Sequence, residues 1–233
     1  AWGLSGVSGQ YLMAHGFSAI GLTNFRLLFS GIVLIILSYV ADKEKVLAFA
    51  KDKSSYLPLL VFSFLGLLLT QLTYLEAIAE TNAGTATVLQ YLCPVGILSY
   101  TCIKDRVAPT LAEVASMLLA IGGTFLIATH GQVNQLAINP KGLAWGVVSA
   151  FAYALYIVLP LNLIKKWGSM LVIGVGMVIP GILMIPFSGL LSFSGNYRLD
   201  TLMAFFGLVV IGTIFAYTAF LKGTSLVGAV KGS

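Results

Sequence analysis

Residues 70–100, TQLTYLEAIAETNAGTATVLQYLCPVGILSY, contain the pattern that decides the fold. One apolar stretch ends at the polar turn 80–82, and a second carries Gln90, Tyr91 and Pro94 near its middle. A proline inside a helix frees backbone groups, which then need partners within the protein or in a wet cavity. The stretch therefore predicts two consecutive membrane helices that form one wall of a central polar pocket.

The composition of the whole chain identifies its class. Its 233 residues are 58% hydrophobic and 9% charged, whereas a soluble domain is about 25% charged. The apolar runs between charges are about 20 residues long, which is the length that spans a bilayer. The net charge of +5 does not indicate a nucleic-acid partner, because the basic residues lie in short loops and form no single face. We expect an all-α integral membrane protein.

The apolar runs predict eight helices and part of a ninth. The first, 1–13, is already under way at its first residue, and the ninth begins near Ser225. Between them we expect helices at about 18–40, 56–79, 82–103, 110–129, 142–163, 169–190 and 199–221. The sequence is therefore expected to be a piece of a longer protein, trimmed at both ends. Cys93 and Cys102 fall on opposite faces of one predicted helix, so a disulfide between them is excluded.

Loop charges predict the orientation in the membrane. Lys141 and Arg198 fall on one side of the predicted bundle. The other side carries Lys43, Lys45, Lys51, Lys53, Lys104, Arg106, Lys165, Lys166 and Lys222. Short cytoplasmic loops are rich in lysine and arginine. We therefore expect a multi-pass plasma-membrane protein whose lysine-rich side faces the cytoplasm.

An internal repeat divides the chain. Ala1-Trp2-Gly3 recurs as Ala144-Trp145-Gly146, and at an offset of 145 Thr73 falls on Thr218. The repeat unit contains five predicted helices, and an odd number inverts the second copy across the membrane. We expect residues 1–130 to form the first repeat and residues 131–233 the second, with the end of helix nine and all of helix ten lying beyond the last residue.

These features together carry a family resemblance. The opening Ala1-Trp2-Gly3, Arg26, the turn NAGTA at 82–86, the run QYLCPV at 90–95 and the segment 217–229 resemble the EamA-type branch of the drug/metabolite transporter superfamily. The resemblance covers essentially the whole chain and rests on the order and spacing of these motifs. It implies ten helices in two inverted five-helix halves around a central cavity. Members of this branch are similar to exporters of amino acids and related metabolites, and some are importers of small nutrients.

Polar and aromatic side chains at helical spacing predict the lining of that cavity. Trp145, Ser149 and Tyr153 lie at i, i+4 and i+8 of one predicted helix, on a face that also carries Tyr156. Such a face gains more from an interior pocket than from hydrocarbon, although aromatic stripes also serve packing or the membrane interface. The candidate substrate-binding residues are Trp2, Gln71, Tyr74, Gln90, Tyr91, Trp145, Ser149, Tyr153 and Tyr217.

Three ionisable residues within predicted helices are candidates for charge recognition or coupling. Arg26 either fixes its helix against backbone carbonyls or binds an anion. Glu76 is either an interfacial carboxylate or a proton-coupling group. Lys231 either extends to the cytoplasmic interface or meets a substrate carboxylate.

Other kinds of chemistry are not indicated by the sequence. It has no phosphate-binding G-x-x-x-x-G-K-[ST] motif and no His, Cys and carboxylate cluster that predicts a metal site. We therefore expect no cofactor, no metal and no enzyme activity.

We expect a secondary active transporter of a small amphipathic metabolite that works by alternating access, with export implied by the resemblance. The alternative is an importer of a small nutrient or quaternary amine, and more distant alternatives are a non-transporting scaffold or an intramembrane enzyme. Expected partners are the solute, membrane lipid and a proton as coupling ion.

Overall fold

The regular structure of the chain is helical wherever the computed structural model describes it, which is at residues 2–129, 138–188 and 199–227. The helices are α1 (Trp2–Ala14), α2 (Ala19–Ala41), α3 (Lys43–Lys51), α4 (Tyr56–Val61), α5 (Leu69–Glu80), α6 (Ala83–Gln90), α7 (Cys93–Asp105), α8 (Leu111–Thr129), α9 (Pro140–Val158), α10 (Leu161–Trp167), α11 (Ser169–Ser188), α12 (Leu199–Phe206) and α13 (Ala216–Val227). Two π-helical segments, Phe62–Leu68 and Gly207–Phe215, join α4 to α5 and α12 to α13.

Six helical stretches are long and apolar enough to cross a membrane. They are Ala19–Ala41, Lys53–Glu80, Ala83–Ile103, Pro140–Trp167, Ser169–Ser188 and Leu199–Phe220. A shorter apolar stretch covers Leu111–Leu126. The expected all-α membrane class is confirmed.

Polar caps explain where several helices begin. Ser18 accepts a hydrogen bond from the Gly21 amide at the start of α2, at 3.0 Å. Asn82 accepts one from the Thr85 amide at the start of α6, at 2.9 Å. Each cap satisfies an amide that has no partner within its own helix. Both starts lie within one residue of the positions predicted from the sequence.

The structure corrects several predicted boundaries. The lysine-rich stretch expected as a loop after α2 contains α3, a short helix capped by Asp42. The helix expected at 82–103 is interrupted at Tyr91 and Leu92, because Pro94 lies in the first turn of a new helix. Pro160 similarly separates α9 from α10 within the helix expected at 142–163. The helix expected to end at residue 221 continues to Val227.

The two π segments occupy matching positions in the predicted repeats. A π-helix bonds residue i to i+5 and holds one more residue in its turn than an α-helix. The segments begin at Phe62 and Gly207, which are separated by the same offset of 145 residues that relates Thr73 to Thr218. The division into two repeats remains a prediction, and this shared distortion agrees with it.

Helix pairing follows the same pattern. In the main contacts α2 packs on α11, α5 packs on α9, and α1 packs on the second π segment. Under the predicted repeat, α2 and α11 are equivalent helices, and the pair of α1 with the second π segment is equivalent to the pair of α9 with the first π segment, which also pack together. A two-fold relation between inverted halves produces this arrangement.

The α2–α11 contact depends on small residues. A Cβ atom added at Gly31 would lie 2.9 Å from the Gly174 carbonyl oxygen and 2.7 Å from Val178. A Cβ atom at Gly174 would lie 3.0 Å from the backbone nitrogen of Ile35. Glycine at both positions lets the two helix backbones approach closely, as is common between membrane helices.

Candidate functional site

A cavity of about 150 Å³ lies among the membrane helices, between elements from both predicted repeats. The lining residues come from α1 (Gly3, Ser5), α2 (Arg26), α5 (Thr70, Tyr74), α6 and the break after it (Thr87, Gln90, Tyr91), α7 (Cys93, Pro94), α9 (Tyr153) and α13 (Tyr217). Its volume is below the roughly 300–1,000 Å³ that drug-sized ligands occupy. The cavity therefore suits a small solute.

Larger hollows elsewhere in the described structure differ from this cavity in their lining. One of about 520 Å³ lies at the lysine-rich end and is lined by Lys45, Lys165 and Lys222 among others. Another of about 730 Å³ lies between α1 and α12 and is lined mostly by apolar side chains such as Leu4 and Met203. The smaller cavity is the candidate site, because a buried charged side chain, Arg26, lines it together with the buried side chains of Tyr74 and Tyr153.

The helix break after α6 places two predicted residues at the cavity. Gln90 ends α6, and its Nε2 atom donates a hydrogen bond to the Ser149 hydroxyl at 2.9 Å. Tyr91 follows, and its amide donates to the carbonyl oxygens of Thr87 and Val88. The amide thereby retains helical partners although the next helix begins only at Cys93. The Gln90–Ser149 bond joins α6 to α9 across the two predicted repeats.

Buried tyrosines form much of the wall. Tyr74 shares a hydrogen bond of 2.8 Å with the Thr87 hydroxyl. Its hydroxyl reaches this position past Gly6, where an added Cβ atom would lie only 2.6 Å away. Tyr153 stacks on Tyr156 with ring centroids 5.6 Å apart, and Tyr156 lies 5.0 Å from Tyr217. The three rings connect α9 to α13 and give the cavity a rigid aromatic side.

Arg26 is 2% exposed and fixes α2 to the second π segment. Its Nε atom donates to the Thr213 hydroxyl, and its Nη2 atom donates to the Gly212 carbonyl oxygen at 3.2 Å. The guanidinium carbon lies 5.5 Å from the ring centroid of Tyr217, within range of a cation–π attraction. The bond to a backbone carbonyl is the kind of contact that the first of the two expected roles requires, and the role of Arg26 remains a prediction.

The remaining predicted residues lie outside the cavity lining or outside the described residues. Gln71 is 1% exposed, and neither of its amide atoms has a hydrogen-bond partner among the described residues. Ser149 lies behind Gln90 rather than in the lining, and Trp145 is 36% exposed on α9. Glu76 is half-buried on α5, outside the lining. The side chain of Trp2 and all of Lys231 lie outside the described residues.

The structure thus gathers part of the predicted set at one cavity. The gathered residues are Arg26, Tyr74, Gln90, Tyr91, Tyr153 and Tyr217. Their roles in binding remain predictions. Thr87 was missed, although Thr87, Gln90, Tyr91 and Pro94 fall at i, i+3, i+4 and i+7, a spacing that indicates one helix face. Ser5 has no such signal in the sequence.

Comparison with known proteins identifies the family. Residues 1–129 and 140–233 match the model of the EamA-like transporter family. The chain belongs to this family. The chain is also 39% identical over all its 233 residues to an uncharacterized inner membrane transporter, YicL, of Salmonella typhimurium, and spans 77% of that protein. It is 23% identical over 158 residues to an uncharacterized transporter, YcbK, of Bacillus subtilis, which is 65% of this chain and 51% of that protein.

No solved structure matches the chain significantly. The EamA-like family and the names of both relatives point to a membrane transporter rather than an enzyme. The family resemblance noted in the sequence is therefore confirmed.

Proposed function

We propose that the protein is a secondary active transporter that moves a small amphipathic metabolite through the cavity lined by Tyr74, Gln90, Tyr91, Tyr153 and Tyr217. One observation carries this proposal: buried polar and aromatic side chains from both predicted repeats surround a single cavity among the membrane helices. Transporters with inverted repeats bind their solutes at such an interface. The aromatic rings would pack on the apolar part of the solute, and Gln90 with the tyrosine hydroxyls would orient its polar groups.

Contacts at the two ends of the bundle support alternating access. At the lysine-rich end, Lys166 pairs with Asp52 at 2.5 Å, and Trp167 donates to the Ser55 hydroxyl at 2.9 Å. At the opposite end, Asn139 donates to Glu80 at 2.8 Å. Each link joins one predicted repeat to the other. The ion pair and the Asn139–Glu80 bond are exposed, and exposed links contribute little free energy, so rocking of the halves can break one end at a time.

The direction and orientation are part of the same proposal. We place the protein in the inner membrane, as the name of the Salmonella typhimurium relative states for that protein. The lysine-rich end faces the cytoplasm by the positive-inside rule. We propose export, driven by a proton for which Glu76 is the candidate carrier. Uptake of a small nutrient or quaternary amine is the alternative direction of transport.

Uptake by reconstituted vesicles tests the function directly. Proteoliposomes containing the full-length protein are incubated in a bacterial metabolite extract, and their contents are identified by mass spectrometry against protein-free vesicles. The expected result is accumulation of at least one small metabolite, with the rate changed by an imposed pH gradient. Vesicles preloaded with the extract report the opposite direction. If no compound moves in either experiment, the transport proposal is wrong.

A further inference from the structure

The guanidinium of Arg26 is only partly satisfied by the protein. The Nε and Nη2 atoms have acceptors in the second π segment, but Nη1 is buried and has no hydrogen-bond partner among the described residues. An arginine side chain remains protonated in a protein, and each terminal nitrogen carries two N–H groups. One whole nitrogen of a charged group is therefore left without an acceptor.

Two more buried donors at the cavity also have no hydrogen-bond partner among the described residues. They are the hydroxyls of Ser5 and Thr70. Ser5 lies next to Arg26 across Gly212, because an added Cβ at Gly212 would lie 2.5 Å from the Ser5 hydroxyl, and Arg26 donates to the Gly212 carbonyl. Ser5, Arg26 and Thr70 all line the cavity. We call these three residues the Arg26 group.

The charge of Arg26 also has no carboxylate partner among the described residues. In the described part of the chain, a salt bridge joins Lys166 to Asp52, far from Arg26 in the sequence. Arg26 is the one charged side chain among the described residues that line the cavity. Buried charges in a membrane protein are normally paired or face a functional pathway. The ring of Tyr217 compensates part of the charge, but it supplies no hydrogen-bond acceptor.

We propose that the Arg26 group is a subsite for a single carboxylate of the transported solute. The proposal rests on the proposed function, because it assumes that the cavity holds the solute. A carboxylate offers two acceptor oxygens, which match the free Nη1 N–H groups of arginine and the two hydroxyl donors. The bonds to Thr213 and Gly212 hold the guanidinium plane in place, so little side-chain freedom is lost when the acid binds.

Charge and size both favour a monocarboxylate over a phosphate ester. A phosphate carries about −1.5 to −2 charges near neutral pH, whereas the described lining supplies one positive charge. The cavity volume of about 150 Å³ restricts the solute to a small molecule. The remaining lining is aromatic and uncharged, and it accepts an apolar group or an ammonium group next to the carboxylate.

The experiment uses the compounds that accumulate in the vesicle assay. Each accumulated acid is compared with its own primary amide, which keeps the shape and removes the charge. Binding to the purified full-length protein is measured by thermal stabilisation and by competition for uptake. We expect the acid to bind about tenfold to a hundredfold more tightly than the amide, because a hydrogen bond to a charged group is stronger than one between neutral groups.

Three variants connect that preference to Arg26. Arg26→Gln should bind the acid and the amide equally. Arg26→Lys should keep a reduced preference for the acid, because lysine retains the charge but lacks the planar guanidinium with its paired donors. Thr213→Val separates the position of the guanidinium from its charge, because it removes the acceptor of Nε and leaves the charge in place. It should bind the acid less tightly than the parent protein but still prefer the acid over the amide. If Arg26→Gln does not fold, Arg26→Lys and the comparison in the parent protein still decide the question.

The outcomes separate this inference from the proposed function. Accumulation of neutral or cationic compounds alone would overturn the carboxylate subsite and leave the transport function standing. An acid that Arg26→Gln still prefers over its amide would also overturn it. If nothing accumulates, the transport function fails, and the subsite fails with it.

Discussion

Gln90 is the lining residue whose role single substitutions can define best. Its hydrogen bond to Ser149 orients its amide at the cavity, while Ser149 itself lies behind it. We expect Gln90→Ala to lower the transport rate at least about tenfold, in line with the loss of one well-placed hydrogen bond. Ser149→Ala should have a smaller effect, since Gln90 remains. The initial rate of uptake per reconstituted protein measures both.

The comparison of these two variants also tests whether Gln90 and Ser149 serve only the packing of the helices. Both variants should reach the membrane in amounts close to the parent protein, because each changes few buried atoms. Equal losses of rate in the two variants would indicate that Gln90 acts only through its contact with Ser149. Equal losses of membrane protein would indicate that both residues serve packing.

Individual residues show the limit of prediction from this sequence. The proline at 94 and the polar pair at 90–91 predicted a pocket wall, and the structure places all three residues at one cavity. Gln71 is also a polar residue within a predicted membrane helix, but it is buried outside the lining. A polar side chain in a membrane helix indicates only that it avoids lipid. Whether it faces a cavity or another helix depends on the neighbouring helices.

At the level of the helix pair, the α2–α11 contact gives a test of packing. Gly31→Ala places a Cβ within 3 Å of the Gly174 carbonyl, and overpacking of this kind costs about 1–3 kcal/mol. We expect a clear fall in the melting temperature of the detergent-purified protein. The control is Gly122→Ala in α8, where an added Cβ meets no atom within 4 Å. This control should leave the melting temperature unchanged or raise it, because alanine is the better helix former.

The contact between Asp52 and α10 predicts how stability depends on pH. The Lys166 ammonium that donates to Asp52, helped by the hydroxyls of Ser54 and Ser55, holds the pKa of that carboxyl well below its usual range. A carboxyl whose pKa is lowered by folding stabilises the protein fully above its unfolded pKa of about 3.9. That contribution is lost as the pH falls through the folded pKa.

The measurement compares the parent protein with Asp52→Asn. The difference in melting temperature between them should be constant from about pH 5 to pH 8 and should shrink only below about pH 4, as the Asp52 carboxyl becomes protonated. Lys166→Gln serves as the control, since it removes the other partner of the same pair. A difference that changes with pH near neutrality would show that another group titrates with this contact.

The membrane helices were predictable from the sequence, but the interruptions and π segments within them were only partly predictable. Apolar length predicts a membrane helix, and a polar residue such as Asn82 predicts its start. The interruption after α6 follows from Pro94, yet its position at Tyr91 and Leu92 depends on the surrounding helices. The π segments contain no proline and have no local signal. Their formation depends on tertiary contacts, which a search for helical periodicity does not detect.

For the whole molecule, alternating access predicts the effect of tying the halves together. Asp52 and Lys166 are replaced by cysteine at the lysine-rich end, and Glu80 and Asn139 are replaced at the other end, in a background without Cys93 and Cys102. A short reducible cross-linker on either pair should stop transport, because rocking must open each end in turn. Addition of reductant should restore it.

Single-cysteine variants treated with the same reagent control for modification alone. Transport that continues in fully cross-linked protein at either end would contradict movement of the two halves at that contact. The extent of cross-linking is read from gel mobility, and transport is read from the initial uptake rate. The two readings together separate incomplete reaction from a negative result.

The overall arrangement was the best predicted property of the molecule. Composition alone indicates a membrane protein, and the family comparison agrees with the resemblance seen in the motifs. The two-repeat division was derived from short matches such as Ala1-Trp2-Gly3 with Ala144-Trp145-Gly146. That division remains a prediction. The solute remained beyond prediction, because recognition depends on how side chains from distant parts of the chain meet.

The matching π segments carry information about the history of the chain. A widened turn requires one additional amino acid relative to an α-helix, and each such addition rotates the rest of the helix by about 100°. A widened turn of this kind occurs in two helices, and the two π segments start 145 residues apart. On the two-repeat interpretation, we infer that the insertion was already present in a single ancestral gene before it duplicated and fused. Differences in lining between the halves then evolved on a distorted helix that both copies inherited.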